Sequence, residues 1–224
     1  MTVQDFIDEY RRVIDDQAAP FLLADADIVR YLNDAVDEAC ERALLIEDRS
    51  SPEATSIALV AGQGSYPLHA SVIKVKRVAL GRRVLTETSS EKMDEECCGW
   101  ETMAGSPRHY IHTGAGDLVL VRIPRAEDVA VDPALALTVY RKPLTPLSVG
   151  ALTESPEINA LYHPRLFPWI YRCAYLKRDS EIYDASRAAQ EEAIFAASFG
   201  VRPDANVQRK RRDKRPPFVK MRGW

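Results

Sequence analysis

The sequence has no long hydrophobic run and few cysteines. These two features argue against a membrane-spanning protein and against a disulfide-stabilised one. Its longest apolar runs, such as ALLI at 43–46, fall far short of the roughly 20 residues that span a membrane. Residues 1–20 carry charges throughout and lack the apolar core of a signal peptide. We therefore expect synthesis in the cytosol and no membrane contact. The cysteines show no C-x-x-C spacing, and we expect them to be reduced and mostly structural: Cys40, Cys97, Cys98 and Cys173.

Motifs for catalysis or phosphate binding are also missing. Ser65 lies in GQGSYP, which lacks the second glycine of a nucleophile elbow. The glycine turns GQGS and GAGD lack the Lys-Ser/Thr ending and the following helix of a phosphate loop. His109 and His112 lie in a predicted strand at a spacing that puts them on opposite faces, which is unfavourable for a shared metal ion even with two cysteines nearby in sequence. We expect no enzymatic activity, no metal and no cofactor, and a hydrolase is the weakest alternative.

Charge is distributed unevenly along the 224 residues, whose net charge is −3. Residues 201–224 hold nine Lys/Arg against two acidic residues, whereas the other 200 residues hold 21 Lys/Arg against 31 Asp/Glu. The last 18 residues, VQRKRRDKRPPFVKMRGW, contain eight of the basic side chains. An acidic body with a basic tail indicates a tail that binds nucleic acid, a targeting receptor or another protein.

Apolar residues recur at helical spacing at both ends of the chain. The predicted helices cover 3–16, 25–48, 163–179 and 180–200. Asp25 is the expected N-cap of the second helix, whose acidic residues are expected on its solvated face. Pro168 should start or kink the third. The fourth ends at Gly200, and its predicted stripe of small and apolar residues comprises Ile182, Ala185, Ala189, Ala193, Ala196 and Phe199.

Between the helix pairs the sequence changes to short alternating runs separated by glycine turns. Residues 55–68 predict two strands across a turn, and 72–80 alternates as a half-buried strand. The segments 108–113 and 117–124 predict a hairpin, and 89–100 predicts a short helix capped by Ser89 or Ser90. Because most strands are consecutive and joined by short turns, we expect an antiparallel sheet or a small sandwich.

The predicted fold class is α+β: a helical bundle from N- and C-terminal helix pairs, with an inserted antiparallel β-sheet or small sandwich. The predicted domains are a helical domain formed by 1–54 and 150–200, a β domain over 55–149, and a basic, flexible C-terminal arm over 201–224.

Several stretches, read in order, resemble the adaptor (head-tail connector, neck) proteins of tailed bacteriophages. ADADIVRYLNDAVDEACERA is similar to the family's first conserved helix, with Asp25, Asp27, Ile28, Tyr31, Leu32, Asn33 and Ala35 in matching positions. GWETMAGSPRHYIH is similar to its W-x₄₋₅-G-x-P-x-x-Y segment through Trp100, Gly105, Pro107 and Tyr110. The resemblance covers about residues 20–200 and departs at RIPRAED, where relatives have a more proline-rich turn. The tail beyond Gly200 does not align, so the resemblance implies nothing about its role.

This resemblance implies a structural virion protein that performs no reaction. Such adaptors form a ring, usually twelvefold, that docks under the capsid portal, lengthens the DNA channel and presents a platform. The implied partners are the portal protein, neighbouring copies of the same chain, the next neck or tail protein and, transiently, double-stranded DNA. The implied location is the neck of the virion, and the host cytoplasm during assembly. An acidic body is compatible with passage of DNA, since negative charge lowers affinity for the phosphate backbone.

The tail has two interpretations. It combines basic residues with two prolines that favour an extended chain and with apolar anchors, which predicts an arm that binds the portal or a neighbouring subunit. The alternative is a nucleic-acid-binding protein that acts through this tail. The predicted binding residues are Arg209, Lys210, Arg211, Arg212, Lys214, Arg215, Pro216, Pro217, Phe218, Val219, Met221 and Trp224.

Overall fold

Two structural units divide the chain, and each is formed by segments that are distant in sequence. The computed structural model describes residues 1–112, 116–178, 181–202 and 204. The helical unit contains Met1–Ser50, Ser71–Lys74 and Val139–Arg202, and the β unit contains Ser51–Ala70 and Val75–Thr138. The domain limits drawn from the sequence stay a prediction.

The helices of the described residues are α1 (Val3–Ile14), α2 (Asp25–Ala43), α3 (Pro52–Thr55), α4 (Ser90–Glu96), α5 (Ala126–Val131), α6 (Phe167–Tyr175) and α7 (Ala185–Phe199). The strands are β1 (Ile46–Asp48), β2 (Ser56–Ala58), β3 (Ser65–Pro67), β4 (Val72–Leu80), β5 (Arg83–Val84), β6 (Thr86–Glu87), β7 (His109–His112), β8 (Asp117–Val121) and β9 (Ala134–Arg141). Two 3₁₀ turns cover Trp100–Thr102 and Ala160–Leu166.

The core of the helical unit is formed by one face of each of its four longer helices. The apolar stripe of α1 is buried as its spacing predicts, and its members are Val3, Phe6, Ile7 and Tyr10. Thr2 caps this helix, since its side-chain oxygen accepts from the Asp5 backbone N–H while the Asp5 carboxylate accepts from the Thr2 N–H. Helix α1 is thus fixed by a local cap and by burial, which stabilises by about 1.5–3 kcal/mol for each large apolar side chain.

Helix α2 differs from its prediction at both ends. Its N-cap is Ala24, and Asp25 is its first helical residue. The prediction of Asp25 as N-cap is wrong, because its carboxylate instead accepts a hydrogen bond from Arg11 Nη2 at 2.5 Å, and a guanidinium is a stronger partner than a backbone N–H. The helix ends at Ala43 and not at residue 48, because Leu44 has the left-handed φ of 52° and β1 follows.

Helices α6 and α7 pack through aromatic side chains. Pro168 lies in the first turn of α6, as predicted. The Phe195 ring lies 5.0 Å from Trp169 and 4.7 Å from Phe199, measured between ring centroids. The predicted stripe of α7 is wrong as a buried face, because three of its members are exposed: Ala185, Ala189 and Ala193. Phenylalanine buries far more apolar area than alanine, so the two phenylalanines decide which face turns to the core.

A four-stranded sheet of order β3-β8-β7-β6 lies in the β unit. The predicted hairpin is confirmed, since β7 and β8 pair antiparallel with Tyr110 opposite Leu120. Strand β6 pairs with β7 in parallel, so the sheet is mixed and not wholly antiparallel as predicted. Met93 of α4 and Trp100 pack with Ile111 in a small core of this unit.

The second sheet has the order β1-β9-β4-β5, with β2 also paired to β9. The strand predicted over 72–80 is confirmed as β4. The two strands predicted over 55–68 exist but do not pair with each other, because β2 pairs with β9 and β3 with β8. The α+β fold class is confirmed, with helix pairs from both chain ends and an inserted β region.

His163 is a buried titratable group in the helical unit. It is 2 % exposed, its Nε2 lies 3.2 Å from the Ile158 carbonyl oxygen, and its ring lies 6.1 Å from that of Phe6. Burial lowers the pKa of His163 below the ordinary value of 6.5, because desolvation disfavours the charged imidazolium. The unfolded chain therefore binds this proton more readily than the folded protein does.

We expect His163 to make the protein less stable in acid. Its contribution is fully present above pH 6.5 and is lost as the pH falls through the lowered pKa. Urea unfolding of the wild type and of His163→Gln at pH 8 and pH 5 should show a smaller loss of unfolding free energy in the variant. His69→Gln, a change at an exposed histidine, should keep the wild-type pH dependence. An unchanged pH dependence in His163→Gln would contradict the assignment.

Candidate functional site

All twelve predicted arm residues lie outside the residues that the structure describes: Arg209, Lys210, Arg211, Arg212, Lys214, Arg215, Pro216, Pro217, Phe218, Val219, Met221 and Trp224. The structure does describe the point from which this segment starts. Helix α7 ends at Phe199 and is followed by its C-cap Gly200, whose backbone N–H donates to the Ala196 carbonyl at 2.8 Å and whose φ is 89°. Glycine adopts this left-handed conformation without steric cost, so the chain turns away from the helix here.

Three residues beyond the end of α7, Arg202 binds the C-terminal half of α2. Its Nη2 donates to Glu41 Oε2 at 3.3 Å, and its Nε lies 3.6 Å from Glu38 Oε1. Arg42 also holds the chain, since its Nη1 donates to the Gly200 carbonyl at 3.1 Å. The start of the C-terminal segment is therefore fixed on α2 by contacts to side chain and backbone.

These contacts belong to a larger group of charged side chains, which we call the tail-root cluster. It comprises four carboxylates and four cations: Asp37, Glu38, Glu41, Glu192, Arg42, Lys142, Arg172 and Arg202. The equal numbers of opposite charges let the group be buried in part without a large net charge.

Arg42 lies at the centre of the tail-root cluster. Its side chain is 2 % exposed, and it donates to Glu38 Oε1 at 2.8 Å and to Glu192 Oε1 at 2.7 Å. Its guanidinium lies 5.2 Å from the Trp169 ring and 5.0 Å from the Phe195 ring, which suits a weakly hydrated, planar cation. Arg42 thereby links α2, α7 and the start of the tail.

The charged forms of Glu41, Lys142 and Arg42 are favoured despite burial. Burial alone would raise the pKa of Glu41, but hydrogen bonds from Lys142 and Arg202 outweigh it, and the pKa is lowered. Burial alone would lower the pKa of Lys142, but its hydrogen bond to Glu41 and the charge of Asp37 raise it. The pKa of Arg42 is raised for the same reason by Glu192 and Glu38. These three groups therefore stay ionised near neutral pH, whereas burial raises the pKa of the Asp37 carboxyl.

This arrangement positions a chain segment and presents no group that is prepared for reaction. Every charged group in it has an opposite charge as partner, so none is held in the unpaired, shifted state typical of a general acid or base. Within the described ranges, no three or more His, Cys, Asp or Glu side chains are grouped so as to hold a metal ion. The Cys40 thiol is buried, and burial raises its pKa to about 12, which makes it an unreactive core residue.

The tail-root cluster is not predicted by the sequence. The acidic residues of α2 are expected on its solvated face, yet Glu38 is 6 % exposed. That expectation is wrong for Glu38, because Arg42 and Arg202 neutralise it inside the protein. The one available signal is the i, i+4 spacing of Glu38 and Arg42. The partner Glu192 is distant in sequence and carries no local signal.

Fold and site together define a class: an α+β protein in which paired charges fix the start of the C-terminal segment at Gly200 and Arg202. Among the described residues, no helix has the length and apolar character needed to cross a membrane. The family model described as "SU10 adaptor protein" matches residues 1–219, and the chain belongs to this family. It is a structural bacteriophage adaptor protein and a component of the virion. No curated protein is similar enough to the chain to count as a match.

The family match confirms the resemblance to phage adaptor proteins and extends it. It begins at residue 1 and reaches 219, whereas the resemblance read from the sequence covers about 20–200. The basic run and the anchors Phe218 and Val219 are inside the match, and Met221 and Trp224 lie beyond it. The conclusion that the tail lies outside the family pattern is therefore wrong for most of its length.

Proposed function

We propose that the protein is a subunit of an adaptor ring that docks under the capsid portal, extends the DNA channel and connects it to the next neck or tail protein. Family membership carries this proposal. The ring is expected to be twelvefold, and its partners are the portal, neighbouring copies and the next tail component. The subunit performs no reaction and works by binding and by shape.

Charge supports this function. The first 200 residues carry ten more acidic than basic side chains, with 31 against 21. A channel built from negatively charged subunits repels the DNA backbone, so DNA would pass through it without being held. The basic excess is concentrated in residues 201–224.

We further propose that residues 205–224 form an arm that binds the portal or a neighbouring subunit. Its six central basic residues would steer the encounter, since complementary charge raises association rates. The apolar anchors that follow, from Phe218 to Trp224, would hold the bound arm. The tail-root cluster supports the proposal of an arm, because contacts of Gly200 and Arg202 with α2 fix the point from which the arm starts.

A second candidate function is nucleic-acid binding through the tail, which its eight Lys/Arg in 18 residues favour. In that case DNA affinity should depend on residues 207–222 and fall steeply with salt. Tight binding of DNA by this segment at moderate salt, with no binding to a portal, would favour this candidate over the adaptor arm.

The proposal is tested by mass measurement of the purified protein alone and mixed with the portal ring of the same phage. We expect a portal complex heavier by a whole number of 25.1 kDa subunits, and by about 300 kDa for a twelvefold ring. A monomer in isolation is compatible with assembly on the portal only. A protein that stays monomeric and ignores the portal would contradict the proposal.

A further inference from the structure

Five exposed arginines converge on one loop of the β unit. The loop, residues 104–108, leads from the 3₁₀ turn into β7. The arginines come from four places in the chain, namely the β4–β5 turn and the start of β5, the loop itself, the end of β8 and the N-cap of α5. We call them the arginine cluster: Arg82, Arg83, Arg108, Arg122 and Arg125.

Side-chain contacts place three of these arginines along the loop. Arg83 Nη1 donates to Ser106 Oγ at 3.4 Å. Arg125 Nη2 donates to the Ala104 carbonyl at 3.5 Å. The Arg122 side chain lies beside Gly105, where a Cβ would be 3.8 Å from Arg122 Cδ and 3.9 Å from Nη1.

The other two arginines are neighbours in sequence of residues at the loop, and backbone contacts hold the loop in position. Arg82 immediately precedes Arg83 in the β4–β5 turn, and Arg108 is two residues beyond Ser106. The Arg108 carbonyl accepts from the Thr86 N–H at 3.0 Å, which ties the loop to β6. The Gly105 N–H donates to the Ile123 carbonyl at 2.8 Å, which ties it to the end of β8.

The cluster carries five positive charges, and none of the five guanidinium groups ion-pairs with a carboxylate of the described chain. Acidic residues do lie nearby. The Arg125 backbone N–H donates to Asp128 Oδ2 at 3.0 Å, and the Asp132 carboxylate lies against Gly81. Neither carboxylate reaches an arginine side chain within ion-pair distance. The buried arginines Arg42 and Arg141 are fully paired, whereas this concentration of exposed, unpaired positive charge can attract a negatively charged partner from outside the subunit.

We propose that the arginine cluster binds backbone phosphates of double-stranded DNA. The guanidinium group matches phosphate geometry through paired N–H donors. Duplex DNA supplies about one negative charge per 1.7 Å of helix axis, so a single duplex can engage several members together. The loop offers no helix or ribbon that would enter a groove and read bases, and binding is therefore independent of sequence. This inference rests on the proposed function, which brings DNA past the subunit.

A local basic site on an acidic subunit would position the duplex without retaining it. The five charges are few beside the 31 acidic residues of the first 200, so attraction at the loop is balanced by repulsion elsewhere. A protein partner is the competing occupant, because Val84 and Met103 beside the cluster are 52 % and 41 % exposed. DNA is favoured because all five charges of the cluster have the same sign.

The test uses the full chain and a fluorescent 30-base-pair duplex, with affinity measured by anisotropy across a salt series. The cluster variant replaces Arg82, Arg83, Arg108, Arg122 and Arg125 by Gln. The control variant makes the same charge change on exposed arginines of the helical unit, at Arg12, Arg30, Arg49, Arg165 and Arg187. Both variants keep the basic tail, so its contribution to DNA binding is common to them.

We expect the cluster variant to lose at least about tenfold in affinity at low salt, and its log–log salt slope to fall by about 3, as for three or four lost phosphate contacts. The control should change affinity by less than about threefold. If the cluster variant with its five substitutions unfolds, as judged by circular dichroism, the double variant Arg82→Glu with Arg108→Glu tests the same surface with two changes. Equal affinity of cluster and control variants, or no duplex binding by the wild type, would overturn the inference.

Assembly on the portal ring separates this inference from the proposed function. If the cluster variant binds DNA normally but fails to assemble, the cluster contacts protein and the inference is wrong, while the adaptor proposal stands. If the wild type ignores the portal but binds DNA through the cluster, the adaptor proposal fails and the inference stands. Loss of DNA binding with normal assembly supports both.

Discussion

Removal of residues 205–224 is expected to leave a folded subunit that no longer assembles on the portal. The cut after Asp204 keeps Arg202 and therefore the contacts to Glu38 and Glu41. The core residues of the helical unit all precede Gly200 and are kept in the shortened chain, so the thermal midpoint should change by less than about 2 °C. Assembly, measured as mass added to a portal ring, should fall below detection because both steering charges and anchors are gone.

Two substitution variants separate the roles within the arm. Changing Arg209, Arg211, Arg212 and Arg215 to Gln should slow association and weaken its salt dependence while leaving residual binding. Changing Phe218 and Trp224 to Ala should mainly speed dissociation, since apolar anchors determine how long a complex lasts. Ala205→Gly with Val207→Ala, close to the start of the arm, is the matched control and should assemble normally. If the chain cut after Asp204 assembles on the portal as well as the wild type does, the proposal that residues 205–224 are a binding arm is wrong.

Replacement of Arg141 by Met is expected to cost about 3–5 kcal/mol of unfolding free energy. Arg141 Nε lies 2.6 Å from Asp48 Oδ2, and both side chains are 4 % exposed. Arg141 also donates from both Nη atoms to Glu157, and these bonds raise the pKa of Arg141. Because Asp48 is buried, removal of the arginine would take away the charge at 2.6 Å that compensates its carboxylate in a poorly solvated site.

Denaturant unfolding of three variants tests this expectation. Arg30→Met removes an exposed ion pair of 3.2 Å to Asp27 and should cost less than about 1 kcal/mol. Asp48→Asn combined with Arg141→Met also removes the negative charge of the Asp48 carboxylate. The double variant should therefore recover part of the unfolding free energy that the single variant Arg141→Met loses. A cost for Arg141→Met no greater than that for Arg30→Met would show that the buried pair contributes little.

Local patterns of sequence predict those parts of the fold that are stabilised by local contacts. The spacing of Val3, Phe6, Ile7 and Tyr10 defines α1, and the β4 strand and the β7–β8 hairpin follow from alternation and glycine turns. The buried face of α7 is not predictable in this way, because alanines occur on several sides of it and only tertiary packing selects Phe195 and Phe199. Element type was thus more predictable than which face is buried.

Charged sites depend on partners from distant segments and are therefore harder to predict. Glu38 is buried because Arg42 and Arg202 pair with it, and Arg202 follows it by more than 160 residues in the chain. The arginine cluster forms because turns and strand ends from four segments meet at one loop. No window of sequence contains either site, although the charge asymmetry between body and tail is visible from composition alone.

The attachment of Arg202 to α2 sets a limit on distance. Twenty-two residues follow Arg202, and a fully extended chain spans at most about 3.3–3.6 Å per residue, so the tip can reach no farther than about 80 Å from this attachment. Any partner surface that binds Trp224 must lie within that distance, and in the proposed assembly the candidates are adjacent subunits and the portal. Within it, tethering replaces free diffusion and gives local concentrations in the millimolar range. In the proposed ring, individually weak anchors would then hold neighbouring subunits together once one subunit has docked.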